Sequence, residues 1–204
     1  LDGIVDRLDY LGDLGVTGIY LTPIFSSPSN HKYDATDFFS IDPMFGGEAA
    51  LKRLCDALHA RKMSITLDAV LNHVSNRHPW FVAAQAGDPD KRDWFSFQPD
   101  GSYQCWQDFV QMPELNLSNP QVRDVLYRQP GSLVQHWLAR GIDHWRFDVA
   151  QDVGIAVAQE MRAIVGERFP AANLLGELNG FAGSWLAHGD GFHGMMNYWY
   201  RTAT

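Results

Sequence analysis

Apolar positions recur along the chain at two alternating spacings. Ile4, Val5, Leu8, Leu11 and Leu14 fall at helical intervals, and Gly15 closes that run. Thr17-Gly18-Ile19-Tyr20-Leu21 then reads as a short strand. A loop rich in Ser, Pro and Asn extends to about Gly47. Ala50, Leu51, Leu54, Ala57 and Leu58 mark a second helix, and residues 63–68 a second strand. Residues 76–116 are long, aromatic and weakly periodic. Residues 119–140 are helical by pattern, with Pro130-Gly131 breaking or kinking them. Residues 142–149 predict a strand, 153–169 a helix, 173–177 a strand, and 194–197 a last strand. No internal repeat or low-complexity tract interrupts this rhythm.

Alternation of strand and helix predicts βαβ units and a parallel sheet. Doubly wound folds and (β/α)8 barrels both satisfy it. A full barrel takes about 250 residues, and the chain has 204 with roughly five strands, so it holds only part of one. It opens on Leu1 rather than Met, inside an expected helix, and reads as a piece of a longer protein.

Composition narrows the functional classes. Hydrophobic residues make up 46% and charged residues 20%, as in a soluble globular chain. The formal charge of −8 disfavours nucleic acid or an anionic membrane as partner and suits an enzyme with a neutral substrate. No apolar run reaches membrane-spanning length. Cys55 and Cys105 read as two reduced core thiols, and no metal-ligand or disulfide framework can be built from them.

Three expected strands end with an acid at or near their C-terminal edge: Asp68, Asp148 and Glu177. In parallel α/β folds that edge is where ligands bind. Any one such acid more often caps a helix or pairs with an Arg, but three in succession shift the balance toward chemistry. If the strands of Asp148 and Glu177 are neighbours, about 4.8 Å apart, the two carboxyls can stand roughly 5–5.5 Å apart, the spacing of a retaining glycosidase. Arg146, two residues before Asp148, shares its strand face. It would keep Asp148 ionised as a nucleophile requires, while Glu177 would need a drier setting to hold its proton.

Five ordered motifs extend this reading. They are Asp68-Ala69-Val70-Leu71-Asn72-His73, residues 141–150 (GIDHWRFDVA), Leu175-Gly176-Glu177, Met112-Pro113-Glu114-Leu115-Asn116, and His31-Lys32-Tyr33-Asp34 with Ile41-Asp42-Pro43. Through them the chain resembles the α-amylase family of glycoside hydrolases (family thirteen), and within it the neopullulanase, cyclomaltodextrinase and maltogenic amylase group. The resemblance implies that residues 1–204 are a fragment of one catalytic barrel, roughly strands 2 to 6, with 76–116 a long irregular insertion after the third strand. It implies Asp148 as nucleophile, Glu177 as general acid/base, and Arg146 as holder of the nucleophile. His73 would hydrogen-bond the sugar, Tyr33 stack under it, and Asp68 serve as a structural acid. The implied activity is retaining hydrolysis of α-1,4-glucosidic bonds in maltooligosaccharides, cyclodextrins or pullulan. A transglycosylase and a non-catalytic glycan-binding relative are the alternatives. No cofactor is implied. Asn72 falls near a calcium ligand of some family amylases, but the neopullulanase group generally lacks that site and no metal is assigned. A cytoplasmic location and a homodimer formed through regions outside this chain complete the expectation.

The chain also departs from the family. The third catalytic carboxylate lies beyond Thr204, and the first barrel strand lies before Leu1. His144 replaces a small Gly, and Glu114 stands where the group more often has Lys. Gln151-Asp152 replaces the Asn-Glu that shapes acceptor subsites. Trp80, Trp94, Phe95, Trp106 and Phe109 crowd the middle stretch, either as a sugar-stacking wall or as a cluster pinning the loop. Trp137 and Trp145 are expected in the core. His31, His73 and His78 lack metal-ligand spacing and read as surface or substrate-contact residues.

Overall fold

The computed structural model of the chain describes residues 1–203. Two short helices, α1 (Asp2–Val5) and α2 (Leu8–Asp13), precede strand β1 (Gly18–Leu21). An antiparallel hairpin, β2 (Phe25–Ser26) and β3 (Asp37–Ile41), leads to helix α3 (Gly47–His59) and strand β4 (Ser64–Ala69). A long excursion containing α4 (Pro79–Gln85) follows. Next come α5 (Pro120–Arg123), α6 (Leu133–Leu138) and strand β5 (His144–Phe147). Helices α7 (Ala150–Val153) and α8 (Ile155–Arg168), strand β6 (Leu174–Gly176), helix α9 (Gly183–Leu186), strand β7 (Gly194–Met195) and helix α10 (Tyr198–Ala203) complete the order.

The sheet decides between the two architectures. Its strands run β1-β4-β5-β6-β7, each pair parallel. Space follows sequence without a reversal, which a doubly wound sheet would require. This is the winding of a (β/α)8 barrel, of which the chain holds five consecutive strands. Register then aligns the chemistry. Asp68 lies opposite Arg146, and Phe147 opposite Gly176, so the residues after β5 and β6 emerge side by side.

Local sequence explains the main elements. Helix α3 buries Ala50, Leu51, Leu54, Cys55 and Leu58 along one stripe. Gly46, at φ 92°, turns the chain into its first turn, a backbone that favours glycine. Gln129 leaves the helix in extended conformation just before Pro130, and α6 restarts after Ser132. Trp137 and Trp145 are fully buried, and each indole N–H reaches a carbonyl: Phe38 at 2.9 Å and Val134 at 3.1 Å. No helix among the described residues is long and apolar enough to cross a membrane.

Four features differ from the sequence-based expectation. The helix expected over residues 4–14 is two helices, because Arg7 leaves helical backbone at φ −111°, ψ 2°. The loop before Gly47 contains the β2–β3 hairpin, irregular at Phe25/Ser26 and pinned from behind by Trp137. The middle stretch holds α4, started by Pro79 at its first position and by the His78 ring accepting from Trp80 N–H at 3.1 Å. Cys105 is only half-buried, unlike the core thiol Cys55, because it lies on the loop excursion.

Candidate active site

The site lies at the carboxyl ends of β4, β5, β6 and β7. Asp68 is the penultimate residue of β4, whereas Asp148 and Glu177 directly follow β5 and β6. Arg146 points along the same face of β5 as Asp148 and gathers all three acids. Its Nη1 donates to Asp68 at 2.8 and 2.9 Å and to Asp148 Oδ1 at 2.8 Å, and its Nη2 pairs with Glu177 Oε1 at 2.8 Å. Asp68 is the most enclosed, its side chain 0% exposed against 10% for Asp148 and 16% for Glu177. Two phenols complete the shell of Asp68: Tyr20 donates at 2.5 Å and Tyr33 at 3.2 Å.

Glu177 is held from three sides. Besides Arg146, the Val149 backbone N–H donates to Oε2 at 3.1 Å and the Tyr198 hydroxyl to Oε1 at 2.8 Å. Val149 reaches that position only by adopting φ 40°, ψ 54°, a left-handed backbone that is a real outlier for a β-branched residue. Gly176 permits the approach of the β7 segment, because a Cβ there would lie 2.6 Å from Met195 Sδ and 2.8 Å from the Phe192 ring.

The surroundings act differently on the two acids. Burial, reinforced by the charge of Asp68, pushes Asp148 up to about 7 even though Arg146 opposes the shift. Burial alone would raise Glu177 too, but the Val149 N–H, the Tyr198 hydroxyl and Arg146 outweigh it and hold Glu177 low. Glu177 receives more donors than Asp148, so of the two its ionised form is the better stabilised. Arg146 does not single out Asp148, because it is divided among three carboxylates.

A cavity of about 750 Å³ opens above these groups, lined by Asp148, Glu177, Tyr33, His73, His31 and Asp34 together with Trp106, Gln107, Phe109 and Met112. His73 is buried, its Nε2 has no partner, and burial lowers it to about 4, so the ring is neutral near pH 7. Tyr33 and His31 stack at 5.9 Å. All six residues singled out from the sequence therefore gather in one place: Asp148, Glu177, Tyr33 and His73 on the cavity, Asp68 and Arg146 directly beneath it.

The middle aromatics divide. Trp94 and Phe95 are buried, and Trp80 packs edge-on to Trp94 at 5.1 Å, so these three pin the loop. Trp106 and Phe109 instead line the cavity, stacked on each other at 5.8 Å, with Trp106 also stacked on His73 at 5.5 Å. His78 is neither surface nor cavity: it is buried against Phe38 and Trp80 and caps α4. The Asn72 amide donates to Glu114 at 3.3 Å. Among the described residues no three His, Cys, Asp or Glu side chains are grouped to hold a metal.

Sequence reading missed Tyr20, Tyr198 and the Val149 N–H. Tyr20 carried a signal, since it pairs with Thr66 in register and so shares a face with Asp68 two residues on.

Comparison with known proteins places this geometry. Residues 1–173 match the model of the α-amylase catalytic domain. The chain is 44% identical over 205 residues to an intracellular maltogenic amylase of Bacillus subtilis, covering 97% of the chain and 34% of that protein. It is 40% identical over 208 residues to a cyclomaltodextrinase of Geobacillus thermopakistaniensis, covering 97% of the chain and 34% of that protein. It superposes on the type III pullulan hydrolase of Thermococcus kodakarensis with a TM-score of 0.88 at 36% identity, covering 96% of the chain and 35% of that one. The chain thus spans about a third of the length of the curated relatives it matches.

Proposed function

This chain belongs to the α-amylase family, and from that premise we propose that the full-length protein is a retaining glycoside hydrolase of α-1,4-glucans: maltooligosaccharides, cyclodextrins or pullulan. The observation that carries the proposal is the meeting of Asp148 and Glu177 over one guanidinium at the floor of one cavity. The similarity to a maltogenic amylase, a cyclomaltodextrinase and a pullulan hydrolase supports the substrate class.

In the reactive form the one proton of the pair is on Glu177. Asp148 is then a carboxylate and Glu177 an acid. A carboxylate oxygen of Asp148 attacks the anomeric carbon, the glycosidic C–O bond breaks, and the leaving oxygen takes the proton of Glu177. Glu177, now ionised and held by its donors, removes a proton from water, and that oxygen displaces Asp148 from the anomeric carbon. Asp68 and Arg146 form the electrostatic floor. Tyr33 offers a ring face to the sugar, and the neutral His73 offers its unpartnered Nε2 to a hydroxyl. Trp106 and Phe109 supply a further apolar surface in the cavity, beside His73.

The description of the Bacillus relative as intracellular supports a cytoplasmic setting, and homodimer formation through segments outside this chain belongs to the same reading. The test is Asp148→Asn in the full-length protein, assayed on β-cyclodextrin and p-nitrophenyl maltoside. The expected result is a fall in kcat on the order of 10³-fold or more with sugar binding retained. An unchanged rate removes Asp148 from the mechanism.

A further inference from the structure

Glu177 must do two opposed things in this scheme, releasing a proton first and taking one afterwards, and the geometry around it bears on how that is managed. Its carboxyl is met by donors from three separate places. Arg146 lies on β5, the Val149 N–H at the left-handed turn after β5, and the Tyr198 hydroxyl at the start of α10. The Tyr198 oxygen also lies 3.8 Å from Met196 Sδ, and Met196 Sδ accepts from Arg146 Nε at 3.3 Å, so phenol, thioether and guanidinium form one connected group. Main-chain bonds lock the frame. Glu177 N–H donates to Phe147 O at 2.9 Å, Ala150 N–H to Glu177 O at 2.9 Å, and Met196 N–H to Gly176 O at 2.8 Å. The strained backbone of Val149 sits inside this frame, and its N–H is spent on Glu177 Oε2 rather than on a helix carbonyl.

We propose that Tyr198 is a positioning residue for Glu177: together with the left-handed Val149 N–H it clamps the carboxylate so that one side chain serves as acid in the first step and base in the second. This rests on the reading of Glu177 as the acid/base. A hydroxyl donated to a carboxylate favours the ionised form. The clamp therefore lowers the proton affinity of Glu177. It then stabilises the anion that has to activate water.

The test uses Tyr198→Phe in the full-length protein, which keeps the ring and removes the donor. Two substrates are compared across pH: β-cyclodextrin, whose sugar leaving group needs a proton, and α-maltosyl fluoride, whose fluoride does not. Loss of the donor makes Glu177 a weaker acid, so the basic limb of kcat/KM for β-cyclodextrin should move up by about half to one pH unit. The kcat/KM for α-maltosyl fluoride should stay within about twofold. An unmoved basic limb, or an equal loss on both substrates, overturns the clamp, because a merely structural role would affect both alike. Glu177→Gln measured beside it keeps the two proposals apart. If Glu177→Gln still hydrolyses β-cyclodextrin, the acid/base reading itself falls. If Glu177→Gln loses β-cyclodextrin but keeps the fluoride while Tyr198→Phe leaves the basic limb in place, only the clamp falls.

Discussion

Arg146 is the residue on which the site converges, and its surroundings have a cost that titration can expose. One buried guanidinium faces Asp68, Asp148 and Glu177; burial and the charge of Asp68 outweigh its pull on Asp148, which keeps its proton to about 7 instead of the ordinary 3.8. Between those two values the unfolded chain releases a proton that the folded chain retains. Stability contributed by this group therefore falls as pH rises through the window, at about 1.4 kcal/mol per pH unit, and the penalty is complete above the folded value. Replacing Asp148 by Asn removes the titration. Thermal unfolding from pH 4 to 8 should show the Asp148→Asn protein gaining on the parent as pH rises. A constant difference between the two would mean that Asp148 ionises normally in the folded state. The acids themselves were legible in the sequence because strand ends are marked by short β-branched and aromatic runs. Their charge states were not. Those depend on Tyr198, 21 residues beyond Glu177, and on a backbone N–H that no residue type announces.

At the level of elements, the strands and long helices could be read from periodicity, whereas the pieces that shape the cavity could not. The β2–β3 hairpin carries Tyr33 and His31 on its connecting loop, yet β2 has two residues and an irregular register, too little for a period of two to show. Tertiary contacts make it a hairpin. Phe25 stacks on Trp137 at 5.5 Å, the Trp137 indole N–H donates to the Phe38 carbonyl, and Lys32 pairs with Asp42 at 2.7 Å. Helix α4 was overlooked for a similar reason: only Phe81 and Ala84 of its seven residues are buried. Trp137→Phe should therefore destabilise the protein by about 1–3 kcal/mol, the penalty of stranding a buried carbonyl. Urea unfolding of the full-length protein would show it as a lower midpoint at unchanged m. A midpoint equal to that of the parent would mean that the hairpin does not depend on this bond.

For the whole molecule, the order of strands makes a simple demand. Among the described residues β1 and β7 are each paired on one side only, and Tyr20 on β1 remains 43% exposed. Open edges of a parallel sheet are sites of association rather than stable ends. Produced by itself, the 204-residue chain should bind the dye ANS and release no maltose from maltohexaose. Maltose release by that polypeptide would show that the five strands suffice. The alternation of strand and helix, and with it a parallel sheet, could be anticipated, because each strand–helix unit is long enough to leave its own periodic trace. The sheet order that excludes a doubly wound fold could not, since neighbours in space are not written in composition.

The imbalance of charge around Arg146 also acts on whatever arrives. Even with one proton retained, two carboxylates outnumber a single base at the floor of the cleft, in a chain already well on the negative side. A plain glucose polymer feels no field from this. A polymer decorated with phosphate esters or uronic acids meets that negative charge on approach and is expected to bind more weakly than the plain glucan, so the same electrostatics that surround the chemistry would also sort glycans at the entrance.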